Sequence, residues 1–114
     1  MRIIGIGIDI VKNNRIKEAI KNKRFLNRIY GKNELLNFKK ISNKTSYFSK
    51  RFAAKEALAK AMGSGFRNKL NFKDIQVTND KMGRPYYMVS PKIVNLIKNQ
   101  KKVKNFNLFL SISD

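Results

Sequence analysis

Three side chains of this sequence combine chemical reactivity with an informative position: Asp9, Glu56 and Lys60. Glu56 and Lys60 lie four residues apart in a helix-forming segment, so they would share one face of a helix. That spacing by itself favours an ordinary salt bridge worth about 0.2–0.5 kcal/mol. Asp9 follows the apolar run IIGIGI, where a carboxylate is costly unless it is paired or bound to a metal. These residues therefore indicate ion pairs or a metal site.

Composition narrows the chemistry that this chain can perform, because it contains neither histidine nor cysteine. A disulfide framework and a thiolate zinc site are excluded, and so are Ser-His and Cys-His nucleophile pairs. Chemistry must come from Asp, Glu, Lys, Arg, hydroxyl groups or a hard metal such as magnesium, which prefers oxygen ligands.

The chain is strongly basic, with 26 Lys and Arg residues against 7 Asp and Glu and a formal charge of +19. Such a charge attracts phosphates, nucleic acid, anionic membranes or acidic proteins. A compositional bias towards lysine on a solvated surface would explain much of it equally well. The few acidic residues are therefore more informative about function than the many basic ones.

No stretch of the sequence approaches the ~20 apolar residues that a membrane-spanning helix needs. The run before Asp9 is too short, and it lacks the small-residue cleavage site of a signal peptide. We therefore expect a cytoplasmic protein with no membrane partner.

The pattern of apolar residues, Gly and Pro predicts a single small α+β domain over residues 1–114. Its expected strands are residues 2–11, 74–78, 84–89 and 107–113, the first of them buried. Its expected helices are one or two over residues 13–30 ending at Gly31, one over 33–40 capped by Asn33, one over 45–62 capped by Thr45 or Ser46, and one over about 91–101 capped by Ser90. A domain of this size has little room for a deep active site, so a site would be shallow or shared between subunits.

The predicted long helix combines basic residues with many alanines between residues 51 and 61. Small side chains allow another backbone or a ligand to approach closely, and the helix runs into the loop Gly63-Ser64-Gly65. This arrangement suits a phosphate-bearing ligand that lies along the helix. The Gly-x-Gly loop is weak support without that context.

Four blocks of the sequence together resemble a known family: GIGIDIV, RFAAKEALAKAMGSG, DIQVTNDKMGRPY and LSIS. They are similar, in order and from end to end of the chain, to the holo-acyl-carrier-protein synthases, the small bacterial 4′-phosphopantetheinyl transferases. The resemblance implies a homotrimer whose antiparallel-rich sheet packs on one long helix. It also implies transfer of 4′-phosphopantetheine from coenzyme A to a serine hydroxyl of an acidic apo acyl carrier protein, releasing 3′,5′-ADP, in fatty acid biosynthesis.

The same resemblance implies catalytic roles for Asp9, Glu56 and Lys60. Asp9 and Glu56 correspond to the carboxylates that hold Mg²⁺ against the pyrophosphate of coenzyme A, which agrees with the oxygen ligands that magnesium prefers. Lys60 corresponds to the lysine that contacts the phosphates next to the reaction centre. Deprotonation of the serine hydroxyl would fall to Glu56 or to a metal-bound water, and both alternatives stay open.

Further residues are expected to hold coenzyme A or the carrier protein. The candidates for the phosphates and ribose of coenzyme A are Arg51, Lys55, Lys60, Gly63, Ser64 and Gly65. Gly83-Arg84-Pro85 matches the family's Gly-Lys-Pro turn, which lies by the nucleotide across a subunit interface, although the sequence by itself favours a plain hairpin turn there. Arg15, Arg24 and Arg28 best match the bases that recognise the carrier protein, and a solvated face is the alternative for each.

One position departs from the family pattern. Ser113 is followed by Asp114, where the family usually has histidine and then a further strand. An aspartate cannot donate to a phosphate as histidine does, so we expect a different contact there. Either the sequence is shortened or the family's final strand is absent, and both alternatives stay open.

Two other functions compete with transfer. A nucleic-acid-binding module would explain the +19 charge, but it should place aromatic residues on an exposed basic sheet. Phe48, Phe52 and Phe72 are instead expected in the core, and no sequence fingerprint of nucleic-acid binding is present, so we expect no nucleic-acid partner. A non-catalytic adaptor for acidic proteins would leave Asp9 and Glu56 unexplained.

Overall fold

The computed structural model describes residues 2–63 and 68–113. Its helices, in chain order, are α1 (Asn13–Ala19), α2 (Lys23–Ile29), α3 (Lys32–Asn37), α4 (Lys44–Met62) and α5 (Pro91–Lys101). Its strands are β1 (Ile75–Asn79) and β2 (Pro85–Val89), and short 3-10 turns cover Phe38–Lys40 and Phe72–Asp74. The predicted α+β class is confirmed.

Helix α4 is the long helix that the sequence predicts. It is rich in Ala and Lys, which form helices readily, and it ends at Met62 with Gly63 as its C-cap, whose φ of 90° suits glycine. Its N-terminal cap is Asn43 rather than the predicted Thr45 or Ser46, because the Ser46 amide donates to Asn43 Oδ1 at 3.0 Å. Thr45 and Ser46 therefore lie inside the first helical turn.

Strands β1 and β2 form an antiparallel hairpin in which Ile75 pairs with Val89 and Asn79 with Pro85. The hairpin is confirmed, with each strand beginning one residue later than predicted. Its buried face belongs to a core made by Leu58 and Met62 of α4, Ile75, and Ile93 and Ile97 of α5. Burial of these apolar side chains joins the sheet to α4 and α5.

Two predicted strands are wrong for this chain as it stands. Residues 2–11 and 107–113 have no helix or strand assignment, and in the described ranges 2–63 and 68–113 the sheet has two strands. The first segment is also not buried, since Ile8 is 77% and Ile10 is 89% exposed. Residues 107–113 alternate between exposed and half-buried side chains, as a strand does. Alternation alone does not make a strand, which also needs a neighbouring segment to bond with its amides and carbonyls.

Before α4 lie helices α1, α2 and α3, which pack around a core rich in aromatic side chains. Residues 13–30 contain α1 and α2, but α2 ends at Ile29 with Tyr30 as its C-cap, and Gly31 is the N-cap of α3 instead of terminating α2. Asn33 is consequently the second residue of α3 and not its cap. A Cβ on Gly31 would lie 2.3 Å from Gln76 Cδ, so a side chain there would displace Gln76, whose Oε1 accepts from the Asn33 amide at 3.0 Å. The core of this half consists of Ile16, Ile29, Tyr30, Tyr47 and Phe48, and Phe52 and Phe72 pack against it as predicted.

Candidate active site

The segment before Asp9 lies directly on helix α4. A Cβ on Gly7 would fall 1.8 Å from the Ala57 carbonyl oxygen, and one on Gly5 would fall 2.5 Å from that of Ala61. The two glycines and the small side chains of Ala57 and Ala61 thus permit a backbone-to-helix contact that larger residues would prevent. This contact brings the N-terminal carboxylate to the helix that carries Glu56 and Lys60.

Asp9 and Lys60 form an ion pair across this contact. Lys60 Nζ lies 2.5 Å from Asp9 Oδ1 and 3.3 Å from the Ile8 carbonyl oxygen. The Asp9 side chain is 11% exposed, whereas that of Lys60 is 47% exposed. Lys60 therefore partly neutralises a carboxylate that has little contact with water. The costly position of Asp9, noted from the sequence, is relieved by a lysine distant in the chain.

Glu56 lies one helical turn before Lys60 and is half-buried. In the described residues, no group of three or more acidic, histidine or cysteine side chains could hold a metal ion. A magnesium ion commonly uses one or two carboxylates and completes its shell with water and substrate phosphates. The donor set of Asp9 and Glu56 fits that type of site, and it does not fit a cage made of protein ligands.

Lys55 is fully buried, which disagrees with its predicted contact to coenzyme A. Its Nζ lies 2.7 Å from Glu34 Oε1, donates to the Phe72 carbonyl at 3.1 Å and also bonds to the Ile75 carbonyl. Burial lowers the pKa of Lys55, and the neighbouring Glu34 carboxylate opposes that shift. The amino group is held inside the fold, so this geometry supports a structural role.

Arg51 is another predicted coenzyme A ligand, and it is only 9% exposed. Its guanidinium carbon lies 3.8 Å from the centre of the Tyr47 ring, a distance typical of cation–π stacking. Its Nη2 donates to Asn79 Oδ1 at 3.0 Å. Arg51 thus faces the end of β1, where the hairpin turn begins.

Residues 80–84 form that turn, and Asp80 determines its shape. The Asp80 carboxylate accepts hydrogen bonds from the Met82 amide at 2.9 Å, the Arg84 amide at 2.9 Å and Arg84 Nε at 3.2 Å. The bond from the Arg84 amide is the main reason that the pKa of Asp80 lies below its usual value. Gly83 has a φ of 85°, which favours glycine. The turn presents an Arg84 side chain that is 79% exposed.

Comparisons with known proteins assign this chain to a family. The family model described as the 4′-phosphopantetheinyl transferase superfamily matches residues 5–108. The chain belongs to this superfamily. It is 55% identical over 114 residues to the holo-[acyl-carrier-protein] synthase of Pelagibacter ubique, covering 100% of this chain and 89% of that protein.

Solved structures of synthases in the superfamily have a similar fold. The holo-[acyl-carrier-protein] synthase of Neisseria meningitidis matches with a TM-score of 0.79 and 39% identity, over 87% of this chain and 81% of that one. The synthase of Bacillus anthracis, in complex with CoA (3′,5′-ADP), matches with a TM-score of 0.68 and 40% identity, over 76% of each chain. These likenesses extend the superfamily assignment to the fold.

The remaining residues expected from the superfamily lie at separate places. Gly63 is exposed at the end of α4, whereas Ser64, Gly65 and Asp114 lie outside the described residues. Arg15 lies on α1, and Arg24 and Arg28 lie on α2, so the three exposed bases come from two short helices. In the ranges 2–63 and 68–113, every helix is too short or too polar to cross a membrane.

Three residues with evident roles in the site region were not predicted: Glu34, Asn79 and Asp80. Glu34 could have been noticed because it is one of three glutamates in a basic chain. Besides Lys55, it accepts hydrogen bonds from the Gly31 amide at 2.9 Å and the Val77 amide at 3.0 Å. Asn79 and Asp80 have no comparable signal, because Asn and Asp are common in turns for reasons unrelated to function.

Proposed function

We propose that this protein transfers 4′-phosphopantetheine from coenzyme A to a serine hydroxyl of apo acyl carrier protein. The proposal rests on the contact between Asp9 and Lys60, which brings a partly buried carboxylate against α4, the helix that contains Glu56. The same residues occur in a chain 55% identical to a holo-[acyl-carrier-protein] synthase. A role in fatty acid biosynthesis and a cytoplasmic location stay predictions.

The reaction forms one phosphorus–oxygen bond and breaks another. The serine oxygen of the carrier protein attacks the phosphorus that bears the pantetheine, and the pyrophosphate bond breaks, so that 3′,5′-ADP leaves. The serine proton goes to Glu56 or to water, and both acceptors remain open. Charge grows on the departing phosphate, and fixed cations beside it lower the barrier.

Lys60 is the side chain best placed to supply such a cation. Its side chain is 47% exposed and its ammonium lies beside Asp9, so it can contact a phosphate bound at the surface of α4. Asp9 and Glu56 are the residues that would hold Mg²⁺. When bound, the metal would neutralise charge on the coenzyme A pyrophosphate.

Coenzyme A is proposed to lie between α4 of one subunit and the turn 80–84 of its neighbour in the trimer. Arg84 offers an exposed guanidinium there, next to Gly83 and Pro85. Gly63 would continue the site at the end of α4, and Ser64 and Gly65, which lie outside the described residues, stay candidate ligands. The carrier protein would dock on Arg15, Arg24 and Arg28, because acyl carrier proteins are acidic and these three bases are exposed.

The homotrimer that the family resemblance implies is part of this proposal. Association is supported because one chain leaves large apolar side chains in contact with water. Ile3, Ile6, Ile8, Ile10 and Phe109 are 71–89% exposed. Residues 2–11 and 103–113 line one open groove over α4, which also exposes Ala53, Ala57 and Ala61. Association would bury these surfaces and give the segments backbone partners. Light scattering should give a mass three times the 13.2 kDa of one chain.

A transfer assay tests the function directly. Purified protein, coenzyme A and MgCl₂ should convert apo acyl carrier protein to the holo form, seen as the mass of one phosphopantetheine group, and EDTA should stop the conversion. Thermal stabilisation by coenzyme A with magnesium, compared with duplex or single-stranded DNA, gives a second measurement. Stabilisation by nucleic acid in the absence of any transfer would reject the proposal in favour of a nucleic-acid-binding module.

A further inference from the structure

The amide of Asn79 connects helix α4 to the hairpin turn through both of its polar atoms. Its Oδ1 accepts from Arg51 Nη2 at 3.0 Å, and its Nδ2 donates to the Gly83 carbonyl at 3.0 Å. Asparagine suits this position because it has an acceptor for the guanidinium and a donor for the carbonyl on one short side chain. Neither aspartate nor alanine can make both bonds.

Arg51 is the fixed end of this connection. It is 9% exposed and stacks on Tyr47, whose hydroxyl donates to the Glu34 carbonyl at 2.6 Å. Arg51 therefore has little freedom to move towards a ligand. Because Arg51 is held on α4, its hydrogen bond to Asn79 fixes the end of β1 relative to that helix.

The contacts of Asn79 and those of Asp80 have different effects on the turn. Asp80 bonds to residues 82 and 84 and so fixes the shape of the turn. The Tyr87 hydroxyl donates to the Ala54 carbonyl at 2.6 Å and fixes strand β2 on α4 further from the turn. Asn79 bonds within the turn itself, because its Nδ2 donates to the carbonyl of Gly83, the residue before Arg84 and Pro85.

We propose that Asn79 is a positioning residue for coenzyme A: through its bonds to Arg51 and Gly83 it fixes the turn 83–85, whose exposed Arg84 meets the nucleotide at the interface with a neighbouring subunit. The inference rests on the proposed function. Arg51 then acts through Asn79, and its burial explains why it need not contact a phosphate. This differs from the expectation drawn from the sequence, in which Arg51 binds coenzyme A directly.

Two substitutions at the exposed Asn79 test the proposal. Asn79→Asp keeps an acceptor for Arg51 but places an oxygen against the Gly83 carbonyl, and Asn79→Ala removes both bonds. Each should raise the Kd for coenzyme A and its KM about tenfold, the effect of roughly one lost hydrogen bond to a charged group. The kcat at saturating coenzyme A and the KM for carrier protein should stay within about twofold. Met82→Ala, which alters an exposed side chain in the same turn, should change none of these values.

A double-mutant cycle tests the role of Arg51. If Arg51 acts through Asn79, the variant Arg51→Lys/Asn79→Ala should bind coenzyme A about as weakly as the weaker single variant. Effects that multiply would mean that Arg51 contacts the ligand by itself, which would overturn its part of the proposal.

The affinity of the Asn79 variants for coenzyme A decides whether Asn79 is a positioning residue. Unchanged affinity for coenzyme A in both well-folded Asn79 variants would overturn the inference and leave the proposed function intact, provided that the wild type binds coenzyme A and modifies the carrier. An equal loss for coenzyme A and carrier protein, together with a lower Tm, would show a structural role and also overturn it. A wild type that neither binds coenzyme A nor modifies the carrier would reject both proposals.

Discussion

The ammonium of Lys55 and the carboxylate of Glu34 lie 2.7 Å apart, and both side chains are fully buried. This ion pair joins α4 to α3, and the further bonds of Glu34 to Gly31 and Val77 extend the connection to β1. The pair therefore stabilises the arrangement of the helix that carries Glu56 and Lys60.

Removing one member of this pair should be strongly destabilising. Lys55→Met leaves the Glu34 charge buried without its partner, and we expect the free energy of unfolding to fall by about 3–5 kcal/mol. Urea denaturation measures that change. The double variant Glu34→Gln/Lys55→Met should recover part of the loss, because no buried charge is then left. A stable Lys55→Met variant with weakened coenzyme A binding would instead support the role predicted from the sequence.

Replacement of either proposed metal ligand should abolish magnesium-dependent transfer. Asp9→Asn and Glu56→Gln keep the shape of the side chain but remove the charge that binds the cation, so the rate should fall by at least about a hundredfold while the Tm changes little. Glu18→Gln is the matched control, since Glu18 pairs with Lys21 at the surface of α1. Transfer by either variant at nearly the wild-type rate would contradict the assignment.

Charge reversal on α1 and α2 should affect one substrate selectively. Arg15→Glu with Arg24→Glu replaces attraction for an acidic carrier protein by repulsion, so the KM for carrier should rise several-fold and that for coenzyme A should not change. Lys92→Glu on α5 makes the same kind of charge change away from these helices. An equal loss for both substrates would argue against a docking surface.

Stability should fall in alkaline solution because of Tyr87. Burial raises its pKa to about 12 from the usual 10.0, and its hydroxyl bonds to the Ala54 carbonyl. Above pH 10 the unfolded chain releases this proton more readily than the folded chain, so the contribution of Tyr87 to stability is lost between pH 10 and 12. Tyr87→Phe should be less stable at pH 8 but should lose stability less steeply above pH 10. Parallel curves for both proteins in urea denaturation would contradict the assigned pKa shift.

The sequence by itself was sufficient for the elements whose signals are local. The composition of α4 and the glycine after it predict a long helix, and the sequence around Asn79–Gly83 predicts a hairpin, because helix propensity and turn chemistry act over a few residues. Because the chain contains no histidine or cysteine, carboxylates are the candidate metal ligands, and the block around Glu56 indicates the family.

The tertiary structure decided which partners these residues have. Lys55 and Lys60 lie five residues apart on the same helix, yet one is buried against Glu34 and the other meets Asp9 near the surface. The sequence predicts that Arg51 binds a phosphate, but its guanidinium stacks on Tyr47 and donates a hydrogen bond to Asn79. Such outcomes depend on contacts between residues far apart in the chain, which local patterns do not encode. Residues 2–11 show the same limit, because their β-branched side chains predict a strand but cannot specify the segment that pairs with it.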